Sequence, residues 1–135
     1  MKASALVFLE VEDVELAHAQ GLETAERGAS GVRSRELLES AVMAPRSSYY
    51  GTLADLAAAY VFGIVKNHPF VDGNKRAGFI SGLLFLELNG RALSVGNEWI
   101  TVIEDVARGE MTRAELADRF AAELPGGGPV YLVDG

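Results

Sequence analysis

Ten consecutive residues, Asn67-His68-Pro69-Phe70-Val71-Asp72-Gly73-Asn74-Lys75-Arg76, bring an imidazole, a carboxylate, an amide, two cations and a glycine together between two apolar runs. A buried helix from Lys75 to Leu88 leaves the backbone N–H groups of Gly73, Asn74, Lys75 and Arg76 without intrahelical partners. Helix N-termini of this kind bind anions, phosphates above all, because unpaired N–H groups and the helix dipole act in the same direction. Gly73 has no side chain to keep a ligand off the backbone, Lys75 adds charge, and Arg76 can grip two phosphate oxygens at once. Asp72 beside this cradle repels phosphate unless a divalent cation lies between them. Magnesium suits that place, since it accepts one or two carboxylates together with phosphate oxygens and water. His68, four residues before Asp72, can take a proton from an attacking hydroxyl. A base, a metal-binding carboxylate and a phosphate cradle imply phosphoryl or nucleotidyl transfer.

Taken singly, the parts say less. Asp72-Gly73-Asn74 is a common turn sequence, Lys75-Arg76 is a common solvated pair, and the P-loop pattern of spaced glycines before lysine and Ser/Thr is absent. The ordered set, placed between a helix end and a buried helix, is what makes the stretch specific.

The elements that must hold these residues follow from apolar spacing. Leu6 to Leu9 is a short apolar run with the character of a small strand, followed by a helix from about Val11 to Gln20 with Val11, Val14, Ala17 and His18 on one face. A lone histidine on such a stripe reads first as a packed, hydrogen-bonded core residue. Gly21 to Gly31 reads as a loop. Ser34 caps a second helix that Pro45 stops near Ala44. Arg46 to Thr52 is a polar and aromatic link, readable equally as a connecting loop or as a substrate-facing flap. Leu53 to about Asn67 is helical, and Pro69 ends that helix at or near His68. Ala77 to Leu88 is apolar almost all round and is expected to be the central, buried helix, with Gly78 and Gly82 admitting a close neighbour. Asn97 is placed to cap a helix to about Arg108 carrying Trp99, Ile100, Val102, Ile103 and Val106. Thr112 and Glu115 make a capping box for a last helix to about Leu124. The expectation is one mainly all-α domain over residues 1–124 with a Gly/Pro-rich tail over 125–135, the tail open between a short terminal strand and a free end.

Composition narrows the classes. The 135 residues suffice for one domain with a proper core. Twelve basic against nineteen acidic residues, net −7, exclude a large electropositive surface for nucleic acid, so a phosphate site must be local. There is no cysteine, which removes disulfides, thiolate metal sites and cysteine nucleophiles. The N-terminal apolar run is too short and too closely followed by Glu10, Glu12 and Asp13 for a signal peptide, and no run approaches the ~18–20 residues that cross a bilayer. A cytoplasmic protein is expected.

His68 to Arg76 closely resembles the signature of the Fic/Doc family, histidine-x-phenylalanine-x-acid-glycine/alanine-asparagine-x-arginine. Gly31-Val32-Arg33 leading to Leu37-Leu38-Glu39-Ser40-Ala41, Tyr50-Gly51, and Leu83 to Gly90 look like the death-on-curing branch, and the resemblance spans roughly Leu9 to Phe120. It implies a compact fold of about six helices. It also implies that His68 activates a target hydroxyl, Asp72 binds magnesium, Asn74 and Arg76 hold nucleotide phosphates, and Phe70 anchors the loop. In the AMP-transferring branch a glycine usually stands at the place of Lys75 and a second arginine at that of Phe79. Lys75 is instead what death-on-curing toxins carry, and those resemble kinases that move the terminal phosphate of ATP to a hydroxyl of elongation factor Tu. The resemblance favours phosphotransfer, with Lys75 among the catalytic residues. Protein AMP transfer is the alternative, and a non-catalytic Fic-fold binding module is a second. A short β-hairpin before the motif helix, with Arg46, Tyr49 and Tyr50, is implied as the flap that pairs with the target. The family's self-inhibitory signature is missing, since Ser94 and Glu98 are followed by Trp99, so inhibition in trans by an antitoxin protein is expected.

Overall fold

The computed structural model describes residues 6–23, 31–47 and 51–124, and within them the helices are α1 (Val11–Glu23), α2 (Arg35–Met43), α3 (Leu53–Asn67), α4 (Asn74–Leu88), α5 (Glu98–Arg108) and α6 (Arg113–Glu123). Short polar side chains start several of them. Ser34 Oγ accepts the Leu37 N–H at 3.2 Å to begin α2, and Thr52 Oγ1 accepts the Asp55 N–H at 3.0 Å to begin α3. The expected capping box opens α6, with Thr112 Oγ1 accepting the Glu115 N–H at 3.1 Å and Glu115 Oε1 accepting the Thr112 N–H at 2.9 Å. Asn97 stands where a cap is expected for α5 but has helical backbone angles and no side-chain capping bond. A 3-10 turn, Ala44–Arg46, follows α2, and Pro45 sits at its start where a missing N–H does no harm.

The central helix is α3, not α4 as the apolar run of α4 suggests. α3 buries most of its fifteen residues and packs against α2, α4, α5 and α6. In α4 the apolar side chains surround the helix while its neighbours cover only part of it. Phe79, Ile80, Leu83 and Leu84 are half-buried and Leu88 is exposed. α4 is instead the layer between α3 and α1. Its contact with α3 is close because Gly78 and Gly82 face that helix: a Cβ on Gly78 would lie 2.8 Å from Val65 Cγ2, and one on Gly82 2.5 Å from Val61 Cγ2 and 3.3 Å from the Ala57 carbonyl. Of the apolar residues that α5 carries, Trp99, Val102, Ile103 and Val106 are buried and Ile100 is exposed.

Residues 6–10 form no strand. They are held by side chains: Asn89 Oδ1 accepts the Val7 N–H and Asn89 Nδ2 donates to the Val7 carbonyl, both at 2.9 Å, while the Tyr60 hydroxyl accepts the Leu9 N–H at 2.9 Å. Arg46, expected in a target-binding flap, holds the same segment. It donates to the Leu9 carbonyl at 3.0 Å, pairs with Glu10 at 3.1 Å and lies over the Phe8 ring at 5.5 Å. Tyr49, Tyr50 and the 125–135 tail, and with them the hairpin and the terminal strand, lie outside the described residues. Within those residues no helix is long and apolar enough to cross a membrane.

Candidate active site

α3 ends at His68. His68 is the residue after its last turn and takes left-handed angles, φ 51° and ψ 55°, with its N–H on the Ile64 carbonyl at 3.2 Å. Pro69 removes the right-handed helical option for the residue before it, so the chain must turn here. Phe70 then plunges into the core at 1% exposure and anchors the loop. His18 stacks flat on the Phe70 ring, centroids 3.8 Å apart and planes within 4°, and its Nε2–H donates to the Asp72 carbonyl at 2.7 Å. It is the packed, hydrogen-bonded histidine expected on α1, and its partner turns out to be the floor of the motif loop.

Asn74 closes the loop from the other side. Buried at 6% exposure, it accepts the Phe70 N–H on Oδ1 at 3.0 Å and donates from Nδ2 to the Phe70 carbonyl at 3.1 Å and to His68 Nδ1 at 3.3 Å. The Phe70 N–H demands an acceptor, which fixes the amide orientation. In this contact His68 Nδ1 accepts and the ring proton is on Nε2; for Nε2 to take a proton from a docked hydroxyl, the ring proton must first move to Nδ1 and the long Asn74 contact be given up. Both functions of the Asn74 side chain go to the loop, and its backbone N–H in the first turn of α4 is the group left to meet an anion.

The α4 N-terminus forms the floor of an open cleft of about 570 Å³, lined by the motif residues, by Gly21 and Leu22 of α1 and by Ala107 and Arg108 of α5. The helix's own ladder begins with the Ala77 N–H on the Gly73 carbonyl at 2.9 Å. Gly73 has φ 78°, and a Cβ there would meet Leu22 and His18 at 3.3 and 3.4 Å, so both backbone conformation and space call for glycine. Asp72 is exposed, with Oδ1 accepting the Gly73 N–H at 2.8 Å. No cluster of three or more His, Cys, Asp or Glu occurs among the described residues. A single carboxylate fits magnesium shared with phosphate oxygens and water, not an ion caged by protein ligands alone.

The two motif cations diverge. Lys75 Nζ reaches α5 and pairs with Glu104 Oε2 at 2.9 Å, while Arg76 lies against α1, where a Cβ on Gly21 would be 3.0 Å from Arg76 Cβ. The hydrogen bond and charge of Lys75, with Arg108 adding to them, hold the Glu104 carboxyl below the usual carboxylate range. Arg108 is ringed by Asp105 at 2.6 Å, Glu110 at 3.3 Å and Glu104 at 3.8 Å; its hydrogen bonds to Glu110 and Asp105 raise its already high pKa. Phe79 stacks on Trp99, centroids 5.7 Å apart, and packs against the core, so its place holds no cation. His68, Asp72, Gly73, Asn74, Lys75 and Arg76 thus line one cleft, as their contiguity requires. Gly21, Leu22, Glu104 and Arg108 were not legible as neighbours of the cleft, since nothing in their local sequence ties them to a motif some thirty or more residues away.

Comparison with known proteins agrees with this geometry. Over 100 residues, covering 70% of this chain and 76% of the relative, the sequence is 37% identical to the protein named Toxin Doc from Mycolicibacterium smegmatis. Residues 8–86, from the segment held by Tyr60 through most of α4, match the sequence model of the Fic/DOC family. With the motif loop, all of α3, most of α4 and the α1 histidine beneath the loop inside that match, the chain belongs to the Fic/DOC family.

Proposed function

We propose that this protein is the toxin of a toxin–antitoxin pair, a protein kinase that moves the γ-phosphate of ATP to a side-chain hydroxyl of a translation factor resembling elongation factor Tu. The observation that carries the proposal is that an exposed imidazole, one carboxylate, a helix N-terminus and the residues Lys75 and Arg76 on its opposite sides all line one cleft. Two features support phosphate over AMP transfer: Lys75 stands at the cleft and Phe79 is packed on Trp99 where the AMP-transferring branch has an arginine. The name of the relative supports the toxin role and, with it, an antitoxin acting in trans.

In this reading the backbone N–H groups at the start of α4 and the Lys75 and Arg76 side chains hold the phosphates. His68 takes the hydroxyl proton as the new oxygen–phosphorus bond forms and the bond to the β-phosphate oxygen breaks, leaving ADP. Magnesium held by Asp72 would neutralise charge on the phosphate oxygens. Catalysis is mainly positioning and charge stabilisation, so the loop that sets His68 matters as much as the residue itself.

The test is a pair of labelling reactions with purified protein, magnesium, a translation-factor preparation and ATP labelled at either the γ or the α position. Label from the γ position alone is expected, and His68→Ala is expected to reduce it by about 10²–10⁴-fold. Label from the α position alone would replace the kinase reading by AMP transfer, and silence from both would favour a binding module.

A further inference from the structure

The segment before α2 grips the motif loop with its main chain and with one side chain. Arg33 N–H and Ser34 N–H both donate to the Pro69 carbonyl, at 2.7 and 3.0 Å, and the Val71 N–H donates to the Gly31 carbonyl at 3.1 Å, around an isolated antiparallel bridge between Val32 and Phe70. These bonds secure residues 69 to 71; the His68 N–H is held by the Ile64 carbonyl at 3.2 Å, and its own carbonyl is left for another group to hold. The Arg33 guanidinium does so: Nε donates to the His68 carbonyl at 2.7 Å and an Nη to the Asn67 carbonyl at 3.0 Å. The two carbonyls lie on either side of the His68 backbone, at the negative end of α3, where a cation is favoured and the last carbonyls lack helical partners. His68 is the sole non-glycine residue with positive φ among the described residues. Such a conformation persists only where the surroundings over-determine it. Its own side chain contributes just the long 3.3 Å contact with Asn74.

We infer that Arg33 is a positioning residue for His68, fixing the left-handed backbone turn that presents the imidazole to the cleft. The inference rests on the reading of His68 as the base. The planar fork is essential to it, because one donor group must serve two carbonyls in fixed directions, which a lysine ammonium on a flexible stem does poorly. Loss of the fork lets the turn relax toward more populated backbone angles and displaces the imidazole without touching the phosphate cradle.

The test compares Arg33→Ala and Arg33→Lys with the unaltered protein in whichever labelling reaction it performs, together with NMR of the His68 ¹³Cα and ¹³Cβ shifts, which report its backbone angles. Arg33→Ala is expected to lower kcat by about 10–100-fold with the KM for ATP changed by less than about threefold, and to move the His68 shifts away from left-handed values. Arg33→Lys is expected to recover only part of both. Unchanged kcat and shifts, a kcat loss matched by the unfolded fraction from circular dichroism, or full rescue by lysine would each overturn the inference. Should the unaltered protein transfer no label, the base reading fails while the shifts still decide whether Arg33 sets the turn.

Discussion

Charge near the cleft is arranged residue by residue. Lys75 is paired with Glu104 in an exposed salt bridge, a kind of contact that contributes little to stability and exchanges readily for a phosphate. Its signature is the titration of Glu104. Because Lys75 depresses that carboxyl, the pairing is present above the ordinary glutamate pKa and is lost as pH falls through the lower folded value. NMR of the Glu104 side-chain carboxyl is expected to show a midpoint below that of an unperturbed glutamate, and Lys75→Ala is expected to move it upward. A midpoint indifferent to Lys75 would mean the pair does not form in solution. At this scale much was legible: the contiguous residues from His68 to Arg76 were read as one site, and they line one cleft. Glu104 was illegible, because an isolated glutamate on an amphipathic helix looks like any solvated face.

Helix-to-helix distance decides how the cleft is built. The first turn of α4 lines the cleft, and the seat of α4 on α3 depends on Gly78 and Gly82. Adding a methyl at Gly82 gains helix propensity of up to ~1 kcal/mol. It also drives a Cβ to 2.5 Å from the stiff Val61 side chain and 3.3 Å from a backbone carbonyl. Overpacking of this kind costs about 1–3 kcal/mol, so Gly82→Ala is expected to lower unfolding stability in urea at unchanged m-value. A more stable Gly82→Ala protein would show that α4 can shift away from α3. The glycine pair was visible in the sequence as an invitation to close packing. Which helix would be the centre was not, since a run apolar on all sides states only that a helix has neighbours, while burial depends on how many faces those neighbours cover.

Across the whole molecule, the six helices share one core that joins Leu9, α1, α3 and α6. Trp99, the single tryptophan, sits between Phe79 of α4 and Phe120 of α6 and so reports the packing of α4, α5 and α6. A single core predicts one transition: urea unfolding followed by Trp99 fluorescence and by far-ultraviolet circular dichroism is expected to give coincident midpoints. Separated midpoints would mean that α5 and α6 melt before the helices that carry the motif. Net charge is a second whole-molecule property. With the chain at −7, the overall field repels anions, so the proposed phosphate site depends on the local charge of Lys75, Arg76 and the helix terminus.

By itself the sequence determined the helical class, most helix limits, the caps at Ser34 and Thr112, and the contiguous residues that make the site, because helix periodicity, capping and turn chemistry act over a few residues. Tertiary structure decided the rest: that α3 is the centre, that 6–10 is tied down by Asn89 and Tyr60 without forming a strand, that His18 supports the loop, and that Lys75 and Arg76 part toward α5 and α1. It also decided that His68 is held in a left-handed turn gripped by Arg33 from thirty-five positions earlier. Contacts at such separations arise only when the chain closes on itself around a shared core, and local propensity carries no record of them.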